Sequence, residues 1–273
     1  MSAADRDRSA SPAQLRRVPA YRVDVISPRA SRYCVAVFVI NEGERVRAQL
    51  ARMQRVCTQV DVVVADGGST DGSVDLGYLR GHGVRALLTK TGPGRLSAQM
   101  RMAFDWAMQE GYQGVIVVDG NGKDDISAIP DFVRLLDDGY DHVQGSRFVP
   151  GGKAINTPLT RLVALRLIHA PLISLASRRR QTDTTNGFRA YSARLIGDPD
   201  VAVFRDVFAT YELHYHLAIE SARSARFRTT ETPVTREYPA VGKAPTKISP
   251  VRGNGQVLAV LLRAVAGKYR HQK

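Results

Sequence analysis

Between residues 33 and 137, short apolar runs alternate with stretches in which apolar residues recur every three or four positions. YCVAVFVI (33–40) and VDVVVAD (60–66) are nearly unbroken runs of β-branched and other apolar residues. Such runs predict strands buried on both faces, as in a parallel sheet. VRALLTK (84–90) and GVIVVD (114–119) predict a third and a fourth. The intervening segments have helical spacing: Val46, Leu50, Met53 and Val56 share one face, SAQMRMAFDWAMQEG stops at Gly111, and ISAIPDFVRLLDDG follows the fourth strand. This alternation predicts an α/β fold with a doubly wound, mostly parallel sheet flanked by helices.

After residue 145 the alternation lapses. SRFVPGGKAINTP reads as a loop, 159–177 as an interrupted amphipathic helix, and RRRQTDTTNG as a basic turn. Residues 207–222 predict a helix and 225–235 a strand. In the tail, Leu258, Leu261, Leu262 and Val265 would share one helical face. The expected organisation is a disordered basic leader over 1–31, a single domain over 32–250, and an amphipathic basic tail helix over 251–273.

Charge sharpens this division. The net charge is +13, but residues 1–32 carry seven Arg against three Asp, and residues 223–273 eleven Lys plus Arg against two Glu. The middle is neutral. Basic ends favour phosphates or an anionic membrane; a nucleic-acid module is disfavoured, because no basic patch is interleaved with aromatics. The two cysteines, Cys34 and Cys57, have no metal-binding spacing and read as core thiols of a cytoplasmic protein. No apolar signal segment opens the sequence, and LVALRLIHAPLISLAS is interrupted by Arg166, His169 and Pro171, short of the roughly 20 apolar residues of a membrane span.

In an open parallel sheet, ligands bind beyond the carboxyl ends of the strands. Three polar clusters fall there: Asn41-Glu42, Asp66 with GGSTDG, and DGNGKDD from Asp119. Each alone also reads as a helix cap or turn; together they favour one crevice. A helix-loop-helix calcium site fails, since positions five, six and twelve from Asp119 are Lys123, Asp124 and Pro130. Neither GxGxxG after the first strand nor GxxxxGK[ST] is present. The remaining reading is Mg²⁺ or Mn²⁺ bridging a carboxylate and a diphosphate, with Asp119 and Asn121 on the same side of an extended chain.

The succession strand-NE, strand-DGGSTDGS, strand-DGN, GSRF and DTTNGFRAYS resembles family 2 glycosyltransferases of the GT-A fold, in particular the dolichyl-phosphate mannose synthase and polyprenyl-phosphate glycosyltransferase branch. The resemblance runs from about Val35 to Lys247. It implies that Asn41 and Glu42 line the nucleotide pocket, that Asp66 reads base or ribose, and that Asp119, Gly120 and Asn121 grip metal and diphosphate beside Lys123. It also implies phosphate contacts for Arg147, Arg161, Arg236 and the basic Lys243 and Lys247, with Asp183 and Arg189 walling the acceptor side. Asn121 departs from the family's second acid, which Asp124 or Asp125 would replace unless either serves the next helix's first turn; Gly67 departs likewise after the second strand.

The implied reaction is inverting, metal-dependent transfer of a hexose from a GDP-mannose or UDP-glucose type donor to a polyprenyl phosphate. A phosphate monoester is mostly dianionic at neutral pH and needs no general base. A hydroxyl acceptor would need one, and TDTTNGF offers the single Asp183 in place of the E-D pair of sugar-acting relatives. A soluble hydroxyl acceptor, nucleotidyl transfer and a non-catalytic nucleotide-sugar binder stand as the alternatives. A lipid acceptor also calls for peripheral docking at the cytoplasmic membrane face, for which 159–177 and 257–266 are the candidate segments.

Overall fold

A computed structural model describes residues 16–240 and 252–271. In chain order the elements are β1 (Tyr21–Val25), β2 (Tyr33–Val39), α1 (Glu44–Val56), β3 (Asp61–Asp66), α2 (Leu76–Gly81), β4 (Val84–Lys90), α3 (Leu96–Gln109), β5 (Gly114–Asp119) and α4 (Ile129–Asp137). There follow β6 (His142–Ser146), β7 (Lys153–Ile155), α5 (Leu159–Ala164), α6 (Ala170–Ser177), β8 (Arg189–Ser192), α7 (Ala193–Ile196), α8 (Glu212–Arg223), β9 (Thr229–Pro233), β10 (Thr235–Glu237) and α9 (Arg252–Val265). Eight strands form one sheet in the order β1-β4-β3-β2-β5-β8-β6-β9, and β10 pairs separately with β7.

The four predicted strands form the parallel centre, β4-β3-β2-β5. Their side chains alternate between two cores. Cys34, Ala36 and Phe38 of β2 face α3, α6, α8 and α9, whereas Tyr33, Val35, Val37 and Val39 face α1, α2 and α4. With both faces covered, the interior positions of these strands are mostly apolar, with Asp61, Asp66 and Arg85 as the buried polar exceptions, which is why the runs were legible.

Several expectations need correction. The leader is ordered from Arg16 onward: β1 runs antiparallel to β4, and Val18, Tyr21 and Val23 pack on the core. Buried Asp61 accepts from the Ala30 and Ser31 N–H groups and from the Tyr112 hydroxyl, fastening the leader's end. Residues 1–15 lie outside the described residues. The expected loop after residue 145 contains β7, and the expected strand over 225–235 is two strands that part at Val234. β9 extends the main sheet beside β6, while β10 turns away to β7.

Residues 159–177 are helical throughout, with a π-helical turn at Leu165–His169 between α5 and α6. Pro171 has no N–H for a carbonyl four residues back, and the wider turn accommodates that break. α9 is docked on the domain, not projecting from it as a separate tail. Val260, Leu261 and Ala264 enter the core beside α8, leaving Leu258 and Leu262 exposed. The apolar face is therefore rotated from the one predicted.

The docking of α9 predicts an asymmetry between neighbours. Leu261→Ala should cost about 2–4 kcal/mol in denaturant unfolding, whereas Leu262→Ala should stay within about 0.5 kcal/mol. Equal costs would contradict the packed face.

Candidate active site

The carboxyl ends of β2, β3 and β5 open onto one edge of the sheet, and their loops are laced together. The N–H of Asn41, at φ 49°, donates to Ser69 Oγ at 2.9 Å, and its Oδ1 accepts the Thr70 N–H at 2.8 Å. The Gly43 N–H donates to Asp71 Oδ2 at 2.9 Å. Hydrogen bonds from Ser73 hold the Asp71 carboxyl below the usual carboxylate range. Glu42 accepts from Arg45 at the mouth of this loop. Asp66 is buried, and both its oxygens accept from the Gly68 and Ser69 N–H groups and the Ser69 hydroxyl. Its carboxylate shapes the GGSTDG loop in this structure. Gly67 has a packing reason: a Cβ there would come 2.9 Å from Gln99 Nε2, which donates to the Val39 and Ala65 carbonyls at the two strand ends.

Asp119 ends β5. Its backbone carbonyl accepts from Gln49 Nε2 at 3.1 Å, and Gln49 Oε1 accepts the Gly122 N–H at 2.9 Å. One fully buried amide of α1 thus clamps both sides of the turn that presents the carboxylate. Gly120 is required there, because a Cβ would meet Val39 Cγ2 at 2.9 Å and the Phe38 carbonyl at 3.0 Å. Asp119 Oδ1 lies toward Gly187, and Oδ2 accepts from Arg236 Nη2 at 3.1 Å and Asn121 Nδ2 at 3.3 Å. Asn121 Oδ1 accepts the Lys123 N–H at 3.2 Å.

Arg236 is carried by β10, which the backbone zips to the DGNGKDD loop: the Asp125 N–H donates to Thr235 O, and the Glu237 N–H to Lys123 O. The guanidinium also donates to buried Asp124. Burial alone would lower its affinity for a proton, but Asp124 and Asp119 outweigh burial and hold it firmly charged. Beside it sits the Tyr238 ring, with Lys123 Nζ 5.1 Å, Arg161 Cζ 5.7 Å and Arg236 Cζ 5.9 Å from its centroid. Arg161 Nη1 donates to the Tyr238 hydroxyl at 3.1 Å. Burial, and then the neighbouring Arg236, push the Lys123 ammonium below its ordinary value.

The structure therefore brings together Asp119, Gly120, Asn121, Lys123, Arg161 and Arg236, with Asn41, Glu42 and Asp66 in the adjoining loops. Arg147 is buried and turned onto Asp183, making a bidentate pair at 2.7 and 2.9 Å. Its Nη2 also donates to Thr185. Asp183, fully buried, orients Arg147 and caps its own turn through the Thr185 and Asn186 N–H groups, so it is no wall of an open acceptor site.

Arg189 is corrected more sharply. At 1% exposure its guanidinium donates to the carbonyls of Thr184, Asn186 and His214, each at 2.9 Å, and pins the fold. Lys243 and Lys247 lie outside the described residues. Of the two acids weighed as compensation for Asn121, Asp125 caps the next helical turn through the Ser127 N–H, and Asp124 turns inward to Arg236. Gln49, Gln99 and Tyr238 were missed. A polar residue in the apolar stripe Val46–Leu50–Met53 was the available signal for Gln49.

Among the described residues no group of three or more His, Cys, Asp or Glu side chains converges as a metal cage. Asp119 fits a hard cation that a substrate diphosphate completes, since Mg²⁺ is commonly held by one or two carboxylates plus phosphates; the expected second ligand, Asn121, instead turns its Nδ2 to Asp119 and its carbonyl oxygen to the Lys123 N–H.

A mixed α/β sheet with a crevice at its strand ends is an architecture that binds ligands beyond the carboxyl ends of its strands, and comparison with known proteins makes the assignment. Residues 34–204 match Glycosyl transferase family 2, and the chain belongs to that family. It is a glycosyltransferase. It is 29% identical over 174 residues to the polyprenol monophosphomannose synthase of Mycolicibacterium smegmatis, covering 63% of this chain and 65% of that protein. The chain thus matches just under two thirds of that relative's length. It is 29% identical over 199 residues to the undecaprenyl-phosphate mannosyltransferase of Micrococcus luteus, covering 71% and 79%. Its fold matches glucosyl-3-phosphoglycerate synthase of Mycobacterium tuberculosis, solved with Mn²⁺, UDP-glucose and phosphoglyceric acid, at a TM-score of 0.60 and 16% identity, covering 87% of this chain and 80% of that one. The same protein has been solved with Mg²⁺ and UDP, at a TM-score of 0.58.

Gln49→Leu keeps the volume and removes both backbone contacts around Asp119. It should lower turnover about tenfold or more, with a stability loss of about 1–3 kcal/mol. Steady-state kinetics beside a melting curve checks both.

Proposed function

We propose that this glycosyltransferase moves a hexose from a nucleotide-diphosphate sugar, of the GDP-mannose or UDP-glucose type, to a polyprenyl phosphate at a membrane surface, with inversion. The observation that carries this reading is the group of Lys123, Arg161 and Arg236 around Tyr238, contiguous with Asp119 at the end of β5. An anionic acceptor must approach an anionic donor, and cations between the two phosphate positions offset that repulsion. A phosphate oxygen attacks the anomeric carbon while the bond to the diphosphate oxygen breaks. The products are a polyprenyl phosphosugar and a nucleoside diphosphate.

Asn41, Glu42 and the GGSTDG loop would hold the nucleotide, and Lys123 and Arg236 would steady the phosphates. Asp119, with Asn121 beside it, would hold Mg²⁺ or Mn²⁺, which supplies neutralisation of the leaving diphosphate. Arg161 extends the cationic group toward the acceptor. Arg236 rests on Asp119 and Asp124, so the carboxylates and the cation keep one another in place.

The lipid chain of such an acceptor stays in the bilayer, and α5–α6 supports a docking face. Leu159, Val163, Leu167, Ile168 and Leu175 are exposed large apolar residues on it, with Leu167 at 72% and Leu175 at 76%. Arg178, Arg179 and Arg180 follow directly. Leu165, Ala170 and Ile173 are packed into the domain, which favours a helix lying along the membrane plane over one crossing it. Basic residues contribute roughly 1 kcal/mol each near an anionic leaflet.

Turnover with Mg²⁺ or Mn²⁺, labelled GDP- and UDP-sugars and a short polyprenyl phosphate should move label into the organic phase. Asp119→Asn should reduce this by about a hundredfold or more. Transfer only to a water-soluble hydroxyl acceptor, or donor binding with no transfer, would refute the lipid-phosphate reading.

Flotation with phosphatidylglycerol vesicles tests the docking face separately. Leu167→Asp with Leu175→Asp should cut the bound fraction about tenfold or more, given roughly 1.5–3 kcal/mol per buried leucine, while a short soluble acceptor is still turned over. Undiminished flotation would remove α5–α6 from the interface.

A further inference from the structure

α3 is buried from Ser97 to Ala107, and among Ala98, Met100, Met102, Ala103 and Phe104 it carries the amide of Gln99, 5% exposed. Burying an amide costs free energy that an apolar residue of the same size would not incur. Gln99 Nε2 donates to Val39 O at 3.0 Å and to Ala65 O at 3.2 Å. Val39 ends β2, and Ala65 is one residue from the end of β3. The Val39 carbonyl also accepts the Gly67 N–H at 2.8 Å, so the amide is not there to rescue an orphan acceptor. Its two N–H groups instead bridge neighbouring strands at the place where their pairing stops, Val39 opposite Asp66.

Those strand ends lead into the Asn41-Glu42 loop and the GGSTDG loop. The two loops are joined at their tips, where Asn41 meets Ser69 and Thr70 and the Gly43 N–H meets Asp71. Gln99 joins them at the root. Gly67 admits it: its φ lies outside the left-handed region, so what bars a side chain is contact, with Gln99 Nε2 at 2.9 Å and Ile40 Cβ at 3.3 Å from a Cβ. We propose that Gln99 is a positioning residue for the nucleotide: it sets the spacing of the two loops that receive the nucleoside, and position 67 is glycine so that the amide reaches both carbonyls. Loops tied at root and tips are ordered before the nucleotide arrives, which removes an entropy cost from binding. This rests on the nucleotide-binding role given to these loops above and deepens it, naming the group that sets their separation.

The test compares wild type with Gln99→Met, which keeps the length of the side chain and loses both donors. In calorimetric titration, binding of whichever of UDP and GDP the wild type prefers should weaken about tenfold, while binding of pyrophosphate, which lacks the nucleoside, should change less than about twofold. In turnover with citronellyl phosphate, the donor KM should rise about tenfold, with kcat and the acceptor KM changed less than about threefold. Gly67→Ala displaces the amide without removing it and should weaken the nucleotide in the same way. Added to Gln99→Ala, it should change nucleotide affinity less than about twofold, because the group it displaces is gone.

If Gln99→Met does not fold, Gly67→Ala carries the test, since it leaves the core of α3 intact. Unchanged nucleotide affinity in a folded Gln99→Met or Gly67→Ala protein would overturn the proposal, even if the melting temperature fell. So would equal weakening of nucleotide and pyrophosphate, which is the pattern of a general fold defect, and so would full additivity of Gly67→Ala with Gln99→Ala. A wild type that binds UDP and GDP no better than pyrophosphate would refute the nucleotide role of the two loops, and this role of Gln99 with it. That outcome is visible before any variant is made, so the two failures are told apart.

Discussion

Arg236 holds the site together. Its guanidinium spans Asp119, at the end of a central strand, and Asp124, five residues on in the same loop, so a turn rich in like charge is closed by one cation. Buried acids carry a desolvation cost of several kcal/mol each unless paired and hydrogen-bonded. Asp124 is buried, and the pairing with Arg236 is the condition for its being so. Because Arg236 sits on β10, that pairing also ties the chain's distant 229–238 segment to the loop after β5. The separation of β10 from β9, the short β7 partner and the placement of Tyr238 all follow from bringing that arginine to that place.

The same arrangement explains the distribution of cations. Arg147 and Arg189 bear the same guanidinium group as Arg236 and Arg161, yet they serve the fold: one is locked to Asp183, the other to three carbonyls. Such fully committed guanidinium groups stiffen the 183–189 segment, which brings Gly187 against the Asp119 carboxylate. The cations left around Tyr238 are Lys123, Arg161 and Arg236, the ones the proposed function assigns to phosphate. The helical segment that bears Arg161 also bears the exposed leucines, so under the proposed function the phosphate site and the apolar face would share one segment.

Much of the architecture was legible because a parallel sheet covered on both faces leaves little freedom of composition. The runs at 33–40, 60–66, 84–90 and 114–119 correspond to β2, β3, β4 and β5 within a residue or so. β6 and β8 were not legible: His142, Gln144 and Arg189 are buried but polar, hydrogen-bonded to Ser221, to neighbouring carbonyls and to the 184–186 turn, and no periodicity marks them. β1 was hidden in a basic leader, since an edge strand with one covered face needs only Tyr21 and Val23 directed inward. For α9 the amphipathic pattern was right in kind, but three leucines so close together permit more than one inward face.

The sequence by itself determined the order of strands and helices, the acid-bearing loops at their ends and the family to which the chain belongs, because these are local patterns read along one segment at a time. Which arginines face a ligand and which pin the core was decided only by the tertiary structure. Arg147, Arg161, Arg189 and Arg236 are chemically identical in the sequence. Their roles differ because a guanidinium's partners, whether Asp183, a phenol, three carbonyls or two loop acids, come from segments up to 117 residues away that only folding brings within hydrogen-bond distance.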